Sequence, residues 1–330
     1  MRRIGDLWVW IDHKTQRLML GNKAAAQAIC DAPPAPSPPL PALERPGQEF
    51  CDLGNYALTG GPALRLWVKL DPVLERDMDS LTGLLAPLRS RQSASMELHY
   101  SASPEGRYLW RNDELIAHGP LKGQGECHDF NLIFEILRHL LSHRDLVAIV
   151  HGSALRWQGR NLVFTGRSGA GKSTLSALLA ARGGQYLGDD NVALMAPGCA
   201  IAPLPLSPTV KQGAWPVLAP HYPALSSAPV YHKGSLPFRF LPDAPFDPRP
   251  DVGPPDLLIF PRFSRSESPK ATPLSPVETL FGLSHAGLWF SPDDAERLID
   301  LACTCPAIAL RHGTDLAASE SLLNEVLNSA

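Results

Sequence analysis

Apolar and polar positions alternate with a period of two along the first third of the chain, as expected of half-buried strands. The alternation runs twice within residues 1–22, around Leu7-Trp8-Val9-Trp10-Ile11 and Leu18-Met19-Leu20, and residues 12–17 supply the turn of a predicted β-hairpin. Strand patterning returns at 63–71, 96–100, 106–110 and 114–118, and residues 80–90 suit a short helix. Residues 1–125 therefore predict a small β-rich domain. Within it, residues 31–48 (DAPPAPSPPLPALERPGQ) hold too many prolines for a helix or central strand and predict a stiff, extended linker.

Beyond residue 125 the period changes. Residues 130–142 are apolar at helical spacing, with Phe130, Ile133, Phe134, Leu137, Leu140 and Leu141 on one face. Residues 146–151 read as an apolar strand. Residues 153–157 lead through a Gln158-Gly159 turn into Leu162-Val163-Phe164, an antiparallel pair. A helix over 173–182 carries Leu175, Leu178 and Leu179 on one face and ends at Gly183-Gly184. Short strands follow at 185–187 and 192–194, and a clear one at 257–260. Residues 216–256 are proline-rich and irregular, the make-up of a lid or of a segment that contacts an acceptor. Helices at 276–285, 292–302 and 316–327, with a strand at 307–311, close the chain. The fold class expected is α/β, with the β-rich domain at 1–125 and a second domain at 126–330.

Composition narrows the function. A net charge of -3 over 330 residues gives no support for a general nucleic-acid partner. No apolar run approaches the length of a membrane span, and residues 1–30 lack the core of a signal peptide, so a cytoplasmic protein is expected. The six cysteines show no zinc-type spacing and read as packing thiols. His139 and His143, four apart, lack a third metal ligand nearby and read as surface histidines.

The chemistry concentrates in NLVFTGRSGAGKSTLSALLAARGGQYLGDDNVAL, residues 161–194. Gly166, Arg167, Ser168, Gly169, Ala170, Gly171, Lys172 and Ser173 fit G-x-x-x-x-G-K-[ST], and with Thr174 they form the expected cradle for the phosphates of ATP. The glycines permit backbone angles that let successive N–H groups turn toward an anion. Lys172 brings a positive charge to the β and γ phosphates, and the Ser173 hydroxyl suits Mg²⁺. The strand before and the helix after are the context this motif needs, and the helix N-terminus adds partial positive charge. The carboxylates of Gly188-Asp189-Asp190-Asn191 follow that helix directly, placed for Mg²⁺ or for taking a proton from an attacking hydroxyl. Lys211 and Arg262 are basic residues beside apolar segments, suited to neutralising charge on a transferred phosphoryl group; the strand at 257–260 would deliver Arg262 to an edge.

His151-Gly152, then GRSGAGKST, then Gly188-Asp189-Asp190-Asn191 is similar to the C-terminal kinase domain of HPr kinase/phosphorylase. The resemblance is strongest over residues 146–195. It implies a P-loop kinase on a curved mixed sheet related to phosphoenolpyruvate carboxykinase, Asp189 as the carboxylate accepting a seryl proton, His151 beside it, Asp190 helping to hold the metal, and a homo-oligomer. The Glu-Ile-Arg-Gly segment of true HPr kinases is not found after residue 195. Pro208-Thr209-Val210-Lys211-Gln212-Gly213-Ala214-Trp215, Ile259-Phe260-Pro261-Arg262-Phe263 and the closing 305–313 segment look instead like HPr-kinase-related proteins of peptide-modification gene clusters. The acceptor this implies is a serine of a peptide or small protein, such as a ribosomally made precursor. A small-molecule kinase and a non-catalytic nucleotide-binding regulator or scaffold are the other readings.

Overall fold

Gln158 and Gly159 have φ of 50° and 79°. Two successive left-handed residues make the turn whose twist matches a hairpin, so Gly152–Trp157 folds back on Arg160–Thr165 with Trp157 opposite Arg160. Around this hairpin stands a sheet of six strands in the computed structural model. The structure describes residues 2–4, 7–12, 17–21, 50–70, 75–103, 106–119, 130–141, 145–233, 235–247, 249, 252–286, 288–290, 294–313 and 316–329.

The order of the six strands is Gln185–Asp189, Gly152–Trp157, Arg160–Thr165, Leu257–Phe263, Ala307–His312, Lys270–Pro273. Arg160–Thr165 runs parallel to Leu257–Phe263, and Leu257–Phe263 parallel to Ala307–His312. The remaining pairs are antiparallel. A second, antiparallel sheet has the order Ala200–Ala202, Val192–Met195, Leu146–Val150, Leu288–Phe290. Residues of both sheets, among them Val150, Val163, Leu187 and Leu194, share one buried cluster with Leu280 and Leu283 of the helix Pro276–Ala286 and Leu298 of the helix Ala295–Thr304. Val9 of the strand Leu7–Asp12 belongs to the same cluster.

The chain forms two compact units, and they do not divide it at residue 125. One comprises 1–36, 146–204 and 244–330; the other comprises 37–145 and 205–243. In the second unit a six-stranded sheet has Ala63–Leu70 parallel to Met96–Ser103, with the helix Glu75–Leu85 between them in sequence. Its buried residues include Tyr56, Leu66, Leu81, Leu85 and Tyr100. The helix Phe130–Leu140 packs against Ala63–Leu70. Residues 205–243 join this unit through side-chain and main-chain contacts. Ser207 donates from Oγ to the Gly83 carbonyl (2.8 Å) and from its N–H to the Leu84 carbonyl (3.0 Å). A Cβ added at Gly83 would stand 2.5 Å from the Phe240 ring.

The architecture is thus mixed α/β, with parallel and antiparallel pairing in both six-stranded sheets. The N-terminal hairpin is present as Leu7–Asp12 against Arg17–Gly21, with Arg2–Ile4 added at its edge. Its turn, the proline-rich 31–48 stretch and His143 lie outside the described residues. The segment 216–256 is less irregular than its prolines suggest. It holds the strands Tyr231–Lys233 and Leu236–Phe240, paired with each other and, through the second, with Thr209–Lys211. Among the described residues no helix is long and apolar enough to cross a membrane.

Candidate functional site

The strand Arg160–Thr165 is buried from Asn161 to Thr165 and lies inside the sheet. The glycine-rich loop leaves its carboxyl end. Gly166, Gly169 and Gly171 have φ of 132°, 83° and 95°, a region that a Cβ makes costly. Gly171 caps the helix Lys172–Ala180, on which all residues from Leu175 to Ala180 are buried. The loop is thereby held between two packed elements.

Lys172 is 8% exposed, and its ammonium donates to the carbonyls of Gly166 (2.7 Å) and Arg167 (3.1 Å). One residue on, the Ser173 hydroxyl lies 3.3 and 3.4 Å from the two carboxylate oxygens of Asp189, to which it donates. Asp189 is 2% exposed at the end of Gln185–Asp189, with Ser153 opposite it on the neighbouring strand. The strand pairing therefore brings together two residues that the sequence separates by a whole helix.

The other two residues of the resemblance sit where the chain crosses between sheets. His151 joins Leu146–Val150 of the four-stranded sheet to Gly152–Trp157 of the six-stranded one. Asp190 and Asn191 join Gln185–Asp189 to Val192–Met195 in the opposite sense. The two crossings are tied: His151 Nδ1 donates to the Asp190 carbonyl (3.0 Å), and Thr165 Oγ1 donates to the His151 carbonyl (3.1 Å). Asp190 has a φ of 60°, which a short polar side chain tolerates better than most. A Cβ at Gly188 would meet the Asn191 carbonyl at 2.8 Å, so the turn demands glycine there. Among the described residues no hydrogen bond joins the Asp190 carboxylate to Ser173.

Arg262 does not stand on an edge strand. Leu257–Phe263 lies between Arg160–Thr165 and Ala307–His312, and its parallel pairing carries Arg262 past the level where the loop strand ends. Arg262 is exposed and makes no hydrogen bond or ion pair with the described residues of the loop. Lys211 is exposed on Thr209–Lys211, in the other compact unit. His139 is half-buried rather than superficial, its Nε2 3.4 Å from Ser95 Oγ. Cys199 and Cys305 are buried free thiols, pushed up by burial to about 11 and about 12, as packing thiols are.

Sequence reasoning missed His312. It ends the strand Ala307–His312, is 2% exposed, and its Nε2 donates to the Ala170 carbonyl in the middle of the glycine loop (3.1 Å). Burial pushes its imidazole below the ordinary 6.5, and the bond to Ala170 works in the other direction. A lone histidine ending an apolar strand offers no spacing by which to find it.

The donor set at Ser173 and Asp189, a hydroxyl beside a carboxylate, is all oxygen and suits a hard cation such as Mg²⁺. Among the described residues no group of three or more His, Cys, Asp and Glu is arranged to hold a metal ion by itself. A cation on this pair would therefore take its other ligands from phosphate and water, the usual habit of Mg²⁺. Comparison with known proteins finds no family model that matches the chain and no curated protein similar to it.

Proposed function

We propose that the protein is an ATP-dependent phosphotransferase that moves the γ-phosphoryl group to a hydroxyl, with the serine of a peptide or small protein as acceptor. The observation that carries this reading is the Ser173–Asp189 pair, at 3.3 Å, beside a glycine loop that caps a helix. Loop, lysine, serine and carboxylate are the parts that P-loop phosphoryl transfer requires. The seryl acceptor rests on the likeness of His151-Gly152, the loop and Gly188-Asp189-Asp190-Asn191 to HPr kinase.

In this reading the loop's N–H groups and Lys172 bind the triphosphate. Ser173 and Asp189 would hold Mg²⁺, which would supply positive charge to the phosphate oxygens. This reading gives the cation to Asp189, because its carboxylate accepts from Ser173, rather than to Asp190. The acceptor oxygen attacks the γ-phosphorus as the bond to the β-phosphate oxygen breaks, and ADP leaves. The acceptor's proton passes to the acidic turn, where the half-buried Asp190 and His151 are joined, rather than to the more deeply buried Asp189. Arg262, at the carboxyl end of the adjacent strand, stabilises charge on the transferred group.

The test is transfer from γ-labelled ATP with Mg²⁺ to seryl peptides and, separately, to small hydroxylated metabolites. Asp189→Asn is expected to retain nucleotide binding and to lose transfer by at least about a hundredfold. Undiminished transfer by that variant removes Asp189 from the mechanism. Label appearing only on small molecules overturns the peptide acceptor, and ATP binding with no labelled acceptor makes the protein a nucleotide-dependent regulator.

A further inference from the structure

The peptide between Ala170 and Gly171 lies where the glycine loop enters its helix. Turning this peptide changes ψ of Ala170 and φ of Gly171, and Gly171, with a φ of 95°, has the low torsional restraint of glycine. A trans peptide is planar, so its C=O and N–H point in opposite directions. Whatever holds the Ala170 carbonyl therefore also aims the Gly171 N–H.

We propose that His312 is the positioning residue that sets this peptide, turning the Gly171 N–H toward the phosphates of the bound nucleotide. The inference rests on the phosphotransferase reading, since it presumes that the loop binds phosphate. Four observations carry it. The His312 Nε2 donates to the Ala170 carbonyl at 3.1 Å. The ring also fills the space beside Gly171: a Cβ there would lie 2.5 Å from Nε2 and 2.6 Å from Cε1, so imidazole and loop interlock. The ring cannot swing away easily, because the Phe263 ring packs against it with centroids 5.5 Å apart and the Ser264 N–H donates to the His312 carbonyl at 2.9 Å. Finally, the ring is 2% exposed and its Nδ1 has no hydrogen-bond partner among the described residues, so the bond to Ala170 is what orients it.

The strand order explains how a residue 142 positions away reaches the loop. Ala307–His312 runs parallel to Leu257–Phe263, which runs parallel to the loop strand, so all three carboxyl ends open on the same side. His312 is the last residue of its strand and arrives level with Phe263.

Binding of a fluorescent ADP analogue, which needs no turnover, tests the assignment in the full-length chain. His312→Gln keeps an amide N–H at the reach of Nε2 and is expected to bind within about twofold of wild type. His312→Phe keeps the bulk, loses the donor, and is expected to bind about tenfold more weakly, the size of one hydrogen bond to a charged group. In the transfer assay the Phe variant should raise KM for ATP more than it lowers kcat. Hydrogen exchange at the Gly171 amide of the ligand-free protein should quicken in His312→Phe and not in His312→Gln. If His312→Phe does not fold, His312→Asn, whose amide stops short of Ala170, replaces it. Equal binding by wild type, Gln and Phe variants overturns the assignment and leaves the phosphotransferase reading standing. Equal weakening by Gln and Phe also overturns it, in favour of packing alone. A wild-type chain that binds no nucleotide overturns the phosphate loop itself, and this inference with it.

Discussion

Burial disfavours the charged form of His312, so stability depends on pH. Its folded-state value is depressed below the ordinary 6.5, with desolvation as the first cause. Below about pH 6.5 the unfolded chain therefore binds more protons than the folded one, and stability falls as pH falls through that range. His139, lowered by burial in the same way, adds to the trend. The melting temperature is expected to drop between pH 7 and pH 5, and His312→Gln to make that drop shallower without abolishing it. A slope unchanged by the substitution would mean that His312 titrates normally. The neighbouring candidate residues differ in how far the sequence could nominate them. Lys172, Ser173 and the glycines form a contiguous octapeptide, so spacing alone reveals them. Asp189 could be nominated as a candidate because it follows the helix directly, and the structure sets it beside Ser173. His312 reaches the loop through strand order, which no local pattern encodes.

Among the elements, the hairpin Gly152–Trp157 with Arg160–Thr165 supports both the loop and the acidic turn. Its turn and its pairing were legible, since Gln158-Gly159 between two apolar runs is a local signal. Its tolerance to change was not. A Cβ at Gly152 would lie 2.5 Å from the Phe164 carbonyl oxygen, a main-chain atom that cannot rotate aside. Gly152→Ala is expected to cost about 1–3 kcal/mol in urea unfolding, as overpacking does. Gly213→Ala, where nothing lies within 4 Å, should change stability by less than about 0.5 kcal/mol. Equal effects would show that the close approach is relieved at no cost. Asn161 illustrates the same division. It reads as one polar residue opening a strand, yet it is 4% exposed, its amide donates to the carbonyls of Val252 and Pro254, and its N–H donates to Asp256.

For the whole molecule, the two compact units each gather distant stretches of chain. A fragment of residues 126–330, the domain that local patterning suggests, separates Phe130–Leu140 from the strand Ala63–Leu70 and Ser207 from Gly83. Limited proteolysis of that fragment should cut within 130–141 and 205–243 faster than in the full chain; equal protection would restore the boundary near 125. Periodicity, turn chemistry and the glycine-rich octapeptide are consequences of near neighbours, so the order and type of most strands and helices, and the place of the loop between them, could be read without coordinates. The boundary between units, the central place of Leu257–Phe263, and the meetings of Ser173 with Asp189 and of Ala170 with His312 arise from contacts between residues far apart in the chain. Those depend on which strands pair across the sheet, a choice made by the burial of whole faces rather than by any short run of residues.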